Sequence, residues 1–141
     1  MILWRRVEMR YFLDTSFFVA LANKADKYHD EAVSQLTNFK QDHFLQLLTS
    51  DYVLDEFFLI MTKVAGIQTA IEWSYVLLEN GFCNVLYCNE SIFSDALKIF
   101  RSELGERKPL TLTDAIVYVS SRQTACKGIL TFDDRLKNFD T

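Results

Sequence analysis

The sequence has little proline and glycine, no long hydrophobic run and no excess of positive charge. One Pro and four Gly among 141 residues argue against collagen-like or linker-rich proteins and favour helices and strands joined by short connections. No apolar run reaches the ~18 residues of a membrane helix, and the charged N-terminus lacks the apolar core of a signal peptide. We therefore expect a cytoplasmic protein without a membrane association.

The charge balance argues against one class of nucleic-acid protein. The formal net charge is -4, whereas a protein that binds nucleic acid through a basic surface is usually positively charged. A nuclease site made of carboxylates remains compatible with this charge, because bound divalent cations then become the largest local charges.

The cysteines exclude another kind of site. Cys83, Cys88 and Cys126 are three in number and show no C-x-x-C spacing, so a structural zinc site is not expected. Free thiols in a reducing cytosol are the preferred interpretation.

The chain does contain ample material for a core. Half of the residues are hydrophobic and 14% are aromatic, which suits one globular domain of this length. Short apolar runs, which predict buried strands, alternate with the periodic patterns of helices. Gly66 and Gly81 are placed to end two of the helices. The helix over 29–39 is predicted to bury one face, formed by Ala32, Val33, Leu36 and Phe39. The patterns predict strands at 11–13, 44–48, 85–87 and 128–131, helices at 17–22, 29–39, 51–64, 68–80 and 92–100, and a polar loop at 105–109. A last helix is predicted to begin after Thr111 and to run to about Gln123.

Strands that alternate with helices predict a parallel sheet with helices on its faces. In such sheets functional groups collect at the carboxyl ends of the strands. Four acids fall at such positions along the chain, and this topology is expected to bring them to one edge of the sheet: Asp14, Glu56, Asp114 and Asp133.

Converging carboxylates suit the hydrolysis of a phosphodiester. Mg²⁺ or Mn²⁺ can activate water and stabilise charge on the leaving oxygen, and hard oxygen ligands hold such ions. Each acid also has a structural interpretation. Asp14 could begin a turn, Glu56 could lie on a wet helix face, Asp114 could be a helix N-terminal acid capped by Thr111, and the Asp133–Asp134 pair could be a solvated turn. The hypothesis therefore depends on the set.

Four short motifs carry a resemblance to a known family. They are Phe12-Leu13-Asp14-Thr15-Ser16-Phe17-Phe18 with Asp26, His29 and Ala32; Thr49-Ser50 with Glu56; Leu112-Thr113-Asp114-Ala115; and Ile129-Leu130-Thr131-Phe132-Asp133. In this order and spacing they resemble PIN domains, particularly the VapC-type toxins of type II toxin–antitoxin pairs. The resemblance covers about residues 9–136.

The resemblance implies a three-layer α/β/α fold with a parallel sheet of four or five strands. It implies a Mg²⁺- or Mn²⁺-dependent endoribonuclease that cuts RNA with metal-activated water and uses no protein nucleophile. It also implies an antitoxin protein partner and a homodimer. The metal carboxylates would be Asp14, Glu56, Asp114 and Asp133; Ser16 and Thr131 would orient carboxylates or water, and Asp134 would assist or replace Asp133.

Two features depart from the family pattern. Only residues 136–141 remain for the family's final edge strand after the fourth motif, so that strand is expected to be absent or very short. Residues 1–8 are expected to extend ahead of the usual start of a single domain that spans 1–141.

Several other residues could also belong to a site, but ordinary structural roles are favoured for them. His29 could bind metal, but an ordinary surface or core role is favoured. Core or partner packing is favoured over RNA stacking for Trp73 and Tyr75, and solvated loop charges are slightly favoured over phosphate contacts for Arg107, Lys108 and Arg135.

Two other enzyme classes also place an Asp after the first strand. A dehalogenase-type phosphatase would need a second Asp where Ser16 stands, and the acidic pair and late Lys of a receiver domain are not found in order. A non-catalytic PIN-like scaffold for RNA binding or assembly, and a housekeeping RNA-processing nuclease, remain as alternatives.

Overall fold

The structure is a computed structural model that describes residues 9–41, 44–102 and 110–137. Strands and helices alternate along much of the chain, as the sequence predicts. The strands are β1 (Met9–Leu13), β2 (Leu45–Ser50), β3 (Asn84–Leu86) and β4 (Gly128–Leu130). The described helices are α1 (Thr15–Ala22), α2 (His29–Lys40), α3 (Asp51–Ala65), α4 (Ile67–Leu78), α5 (Glu90–Phe100), α6 (Leu112–Gln123) and α7 (Asp134–Lys137).

The four strands form one parallel sheet with the order β3-β2-β1-β4. β1 is central and pairs in parallel with β2 on one side and β4 on the other. The backbone continues the pairing one residue beyond β1, because Asp14 N–H donates to the Leu130 carbonyl at 3.1 Å. The predicted parallel sheet is therefore confirmed, with four strands among the described residues, and Asp14 leaves it at its centre.

Both faces of the central strand are covered. Neighbouring residues of a strand point to opposite faces, and Phe12 and Leu13 are both fully buried. This burial agrees with the expected three-layer α/β/α arrangement, in which a parallel sheet is covered on both sides. A second apolar cluster joins α5 to α6 through Ile92, Ala96 and Ile116.

Several helix ends lie where local chemistry predicts them. Gly66 separates α3 from α4 with a φ of 94°, a conformation that glycine adopts without strain. Thr111 and Asp114 form the predicted capping box of α6. α1 begins at Thr15 rather than at residue 17, because the chain turns into a helix directly after Asp14.

The predicted buried face of α2 is correct at two positions and wrong at one. Ala32 and Leu36 are buried, whereas Val33 is 42% exposed. Phe39 is half-buried and packs on the Tyr11 ring with centroids 4.6 Å apart. Val33 directly follows Ala32 along the helix, and the rotation of about 100° between neighbours turns it out of the buried stripe.

Some expectations concern residues outside the described ranges. These are the extension over 1–8, the polar loop over 105–109 and any strand after residue 137. Within the described ranges, no helix is long and apolar enough to cross a membrane. The three cysteines all lie in these ranges and none forms a disulfide.

Candidate metal and RNA cleft

A cleft of about 590 Å³ opens where β1 and β4 end. Its wall combines the first turn of α1, the middle of α3, the start of α6 and the segment after β4. All five acids that the sequence assigns to the site line this cleft, together with Asp26 of the first motif: Asp14, Asp26, Glu56, Asp114, Asp133 and Asp134.

Asp14 is the most deeply placed of these acids. Only 4% of its surface is exposed, because it follows the central strand and leads directly into α1. Burial raises the pKa of Asp14 from its ordinary value of 3.8 to about 6, and the nearby charge of Asp114 also raises it, against hydrogen bonds from Thr131, Thr15 and Ser16 that lower it. The carboxylate is thus costly to ionise, and a cation beside it would offset that cost.

Two hydroxyl groups orient the Asp14 carboxylate. Thr131 Oγ1 donates to Asp14 Oδ2 at 2.8 Å, and Ser16 Oγ donates to the same oxygen at 3.0 Å. The two hydroxyl oxygens are 3.1 Å apart. Each hydroxyl has one proton, so the Ser16–Thr131 contact and the bonds to Asp14 compete for two protons.

Backbone amides fix both hydroxyls in turn. Phe132 N–H donates to Ser16 Oγ at 2.9 Å, and Asp133 N–H donates to Thr131 Oγ1 at 3.0 Å. The turn after β4 is therefore tied to the start of α1 through the groups that hold Asp14.

Asp114 has two roles in the structure. Its Oδ2 accepts from Thr111 N–H at 3.0 Å, which completes the capping box of α6. The same oxygen lies 3.8 Å from Arg135 Nη2. Burial raises the pKa of Asp114, with the hydrogen bonds from Thr111 and the charge of Arg135 opposing. The capping interpretation is thus observed, and it coexists with a position in the cleft.

Asp133 is held by an arginine two residues later. Arg135 Nη2 donates to Asp133 Oδ2 at 2.6 Å, and Arg135 Nε donates to both oxygens at 3.0 and 3.1 Å. Hydrogen bonding to Asp133 raises the pKa of Arg135, with contributions from the charges of Asp114 and Asp14. The interpretation of Arg135 as a solvated loop charge is therefore wrong, because its guanidinium lies among the acids of the cleft.

Glu56 and Asp134 line the same cleft without comparable support. Glu56 projects from the middle of α3 and is half-buried, and Asp134 is the exposed first residue of α7. Within the described part of the chain, neither side chain makes a hydrogen bond or an ion pair. Asp134 thus has no contact with Asp133 or Asp14 of the kind that Ser16 and Thr131 provide.

The acids line the same cleft, but in this structure their carboxylates do not converge on one position. Among residues 9–41, 44–102 and 110–137, no three His, Cys, Asp or Glu side chains are placed to hold a metal ion together. One observation favours a ligand beside Asp14: the buried Thr15 Oγ1 has no hydrogen-bond partner in these ranges, and Thr15 lines the cleft. The donor chemistry of the cleft, carboxylate and hydroxyl oxygen, suits Mg²⁺ or Mn²⁺.

Several cleft residues have no strong signal in the sequence. Lys27 and Tyr28 line the wall from a connection without periodicity, and Phe132 lines it from a position of the fourth motif at which no residue type is specified. Asp26 belongs to the first motif, and its Oδ1 accepts from Tyr28 N–H at 2.8 Å. His29 has the favoured ordinary role, because its Nδ1–H donates to the Ala20 carbonyl at 2.7 Å.

Comparison with known proteins identifies related sequences and structures. A VapC ribonuclease of Archaeoglobus fulgidus is 24% identical over 127 residues, which are 90% of this chain and 79% of that protein. VapC20 of Mycobacterium tuberculosis, described as a sarcin-ricin loop cleaving toxin, has a TM-score of 0.78 at 20% identity and covers 91% of this chain and 93% of its own. The structure of VapBC2 from Rickettsia felis, a complex with a DNA fragment from the VapBC2 promoter, has a TM-score of 0.69. The two chains are 16% identical, and the match covers 93% of each.

The structural likenesses support the fold, and the sequence comparison supports the family. The PIN domain family model matches residues 11–141 and so includes all four motifs on which the resemblance depends. The protein therefore belongs to the PIN domain family.

Proposed function

We propose that this protein is a metal-dependent endoribonuclease that hydrolyses RNA phosphodiester bonds in the cleft around Asp14. The observation that carries the proposal is that the four predicted acids of a PIN domain chain line one cleft, with the most buried of them oriented by two hydroxyls. Asp14, Glu56, Asp114 and Asp133 are the proposed metal ligands.

The properties of Asp14 and Asp114 support a cation between or beside them. Both carboxylates have raised pKa values, chiefly through burial, and each lies in the negative field of another acid. When bound, Mg²⁺ or Mn²⁺ supplies a Lewis acid for the phosphate and activates water. The protein's own contribution is to hold the oxygens of Asp14 and Asp114 where little of their surface is exposed to water, which strengthens electrostatic interactions.

Ser16 and Thr131 are proposed to set the orientation of Asp14. Both donate to Oδ2, so they restrict the rotation of the carboxylate about its side-chain bonds. Residues that hydrogen-bond to a metal ligand and orient it typically affect the metal affinity or the catalytic activity when they are replaced. Asp134 is proposed to assist Asp133 from the rim of the cleft, where its side chain is exposed.

Arg135 is proposed to act as a resident counter-charge. Its guanidinium neutralises Asp133 and lies 3.8 Å from Asp114, so it supplies positive charge to the cleft where a divalent ion would. For Asp133 to become a metal ligand, its bonds to Arg135 have to loosen. The displaced guanidinium then becomes available to an RNA phosphate, for which its planar donor geometry is well suited.

The relatives suggest a biological setting. VapC20 is described as a toxin, and the Rickettsia felis structure is of a VapBC2 protein. We propose that this chain is likewise the toxin of a toxin–antitoxin pair, is held in check by an antitoxin protein and works on RNA in the cytoplasm.

We also propose that residues 1–141 form a single domain and that the protein is a homodimer. An exposed apolar stripe on α4 gives physical support for a protein–protein contact, since such surfaces are usually covered by a partner. Its members repeat at helical spacing: Ile67, Ile71, Tyr75 and Leu78.

Cleavage of a mixed RNA pool tests the proposed activity. The full chain would be incubated with Mn²⁺ or Mg²⁺, or with EDTA, beside the Asp14→Asn variant. We expect metal-dependent cutting that EDTA and the substitution both abolish. Equal cutting by the variant and the wild type would contradict the assigned site.

A non-catalytic RNA-binding scaffold is the second candidate. It is favoured by the absence, within the described ranges, of three acids placed to hold an ion. RNA binding with unchanged affinity in EDTA, together with no cutting by metal-loaded protein, would support this candidate over the nuclease.

A further inference from the structure

We propose that Tyr28, Phe132 and Lys27 form a subsite that stacks one RNA base at the wall of the cleft; this inference rests on the proposed function. The three residues are called the stacking wall below. None of them is a proposed metal ligand, and all three line the same cleft as the acids.

Three aromatic rings form a continuous parallel stack. The rings of Phe17 and Phe132 have centroids 5.7 Å apart and an interplanar angle of 8°. The rings of Phe132 and Tyr28 have centroids 4.5 Å apart and an angle of 2°. The stack runs from the core, where Phe17 is fully buried, to the cleft, where Tyr28 is half-buried.

The outer end of the stack is covered by a lysine. Lys27 Nζ lies 4.9 Å from the centroid of the Tyr28 ring. Because Phe132 is stacked in parallel on one face of Tyr28, the opposite face is the one on which a base can stack. Lys27 is exposed, and an exposed cation–π contact of this kind is weak, so the lysine can move aside.

These components match what proteins use for single-stranded nucleic acid. Aromatic rings provide a flat surface for a base, and a nearby cation follows the phosphate backbone. A base that replaced the Lys27 ammonium would extend the existing stack by one ring. The displaced ammonium would then be next to the nucleotide's phosphate, where its charge is favourable.

The stacking wall is rigidly connected to the proposed metal site. Ser16 Oγ accepts from Phe132 N–H and also contacts Asp14 Oδ2. On the other side, Asp26 Oδ1 accepts from Tyr28 N–H at 2.8 Å and fixes the turn that presents the ring. A base held on Tyr28 would therefore have a defined position relative to the acids that act on the phosphate.

Binding of short single-stranded RNA tests the subsite. The full chain would carry Asp14→Asn, so that bound RNA is not cut, and would be combined with Tyr28→Leu, with Tyr28→Phe or with Tyr87→Leu. Tyr87 is 68% exposed and does not line the cleft, so its variant is the matched control. We expect Tyr28→Leu to weaken binding about tenfold, the loss of one stacked base, with Tyr28→Phe and Tyr87→Leu close to the parent.

A second measurement needs no substitution in the wall. RNA with single 2-aminopurine residues, whose fluorescence falls when the base stacks, would be scanned position by position. We expect quenching at one position, and an abasic nucleotide at that position should weaken binding to the parent; quenching at no position would overturn the subsite. This readout remains decisive if Tyr28→Leu does not fold.

The outcomes separate the subsite from the proposed function. If wild type cuts RNA while Tyr28→Leu binds RNA normally and no position is quenched, the subsite is wrong and the nuclease stands; the wall would then be left to a protein partner. If wild type neither cuts nor binds RNA, the proposed function itself fails and the subsite fails with it.

Discussion

The end of β1 and the middle of α3 both present a carboxylate to the cleft, but they hold it differently. Asp14 at the end of β1 is 4% exposed and accepts two hydroxyl hydrogen bonds. Glu56 on α3 is half-buried, and within the described part of the chain it has no hydrogen-bond or ion-pair partner. One acid is therefore fixed and the other is adjustable.

This difference shows how a carboxylate site can be stable without its ligand. Fixing every acid in a closed cluster would place several buried negative charges together, which is costly without a cation. Here the fixed acid has a raised pKa, Asp133 is neutralised by Arg135, and Glu56 keeps its freedom. Binding of a divalent ion would then draw the adjustable side chain towards the fixed one.

The largest expected effect on stability comes from ionising Asp14 in the metal-free protein. Its pKa is raised from 3.8 to about 6 in the folded chain, so the folded state holds a proton that the unfolded chain has already released. The protonated Asp14 therefore contributes its full share to the free energy of unfolding below pH ~4. As the pH rises through about 6 this contribution is lost, and the free energy of unfolding falls by about 3 kcal/mol.

Urea unfolding in EDTA between pH 4 and 7 would measure this fall. Asp14→Asn cannot ionise, so its free energy of unfolding should lack the same decline. Parallel pH curves for the two proteins would contradict the assigned burial of a chargeable Asp14.

The next effect concerns the hydroxyl that holds the fixed acid. Thr131→Val keeps the shape of the side chain but removes the donor to Asp14 and the acceptor for Asp133 N–H. We expect Mn²⁺ affinity to fall by about 10–100-fold, measured by calorimetric titration.

Thr62→Val is the matched control for this change. Thr62 is exposed on α3 and donates only to the Phe58 carbonyl at 2.7 Å. An equal loss of Mn²⁺ affinity in both variants would mean that the Thr131 hydroxyl has no special role.

A smaller effect on stability is expected from replacing Arg135, the proposed counter-charge. Arg135→Gln removes the ion pair with Asp133, so the metal-free protein should lose about 1 kcal/mol or less of stability, as for a partly exposed pair. The same variant should bind Mn²⁺ more tightly, because the ion no longer competes with a guanidinium.

Thermal unfolding at increasing Mn²⁺ would reveal both parts of this prediction. The variant should melt below the wild type without metal, and the difference should shrink or reverse at saturation. A variant that is destabilised equally at all Mn²⁺ concentrations would oppose the idea of a resident counter-charge.

The smallest effect on stability is expected at the adjustable acid. Glu56→Gln should change the free energy of unfolding by less than about 0.5 kcal/mol, because no hydrogen bond within the described ranges is lost. Urea unfolding checks this directly. A clear destabilisation would show that Glu56 is held as firmly as Asp14 and would remove the contrast between the two.

Much of the fold could be predicted because its signals are local. Gly66 ends α3, Thr111 caps α6, and buried runs mark the strands. Alternation of these elements is enough to predict a parallel sheet and the edge at which the acids meet. Helix starts were less accurate, since Asp14 has the short polar side chain of a turn and α1 nevertheless begins at the next residue.

The details of the cleft depend on contacts that no local pattern encodes. Tyr28 and Phe132 stack although 104 residues separate them, and the Thr131 hydroxyl reaches Asp14 across 117 residues. The ion pair of Asp133 with Arg135 is close in sequence, but its existence depends on the turn after β4. Whether several acids of one cleft can bind the same metal ion then depends on their side-chain conformations.

Binding of Mn²⁺ to the metal-free full chain, followed by the electron paramagnetic resonance signal of free Mn²⁺, tests the central claim most directly. The account predicts a site in the wild type whose affinity falls at least about tenfold in both Asp14→Asn and Glu56→Gln, despite their different effects on stability. A wild type that binds no Mn²⁺, or variants that bind it as tightly as the wild type, would contradict a metal site built from a fixed and an adjustable acid.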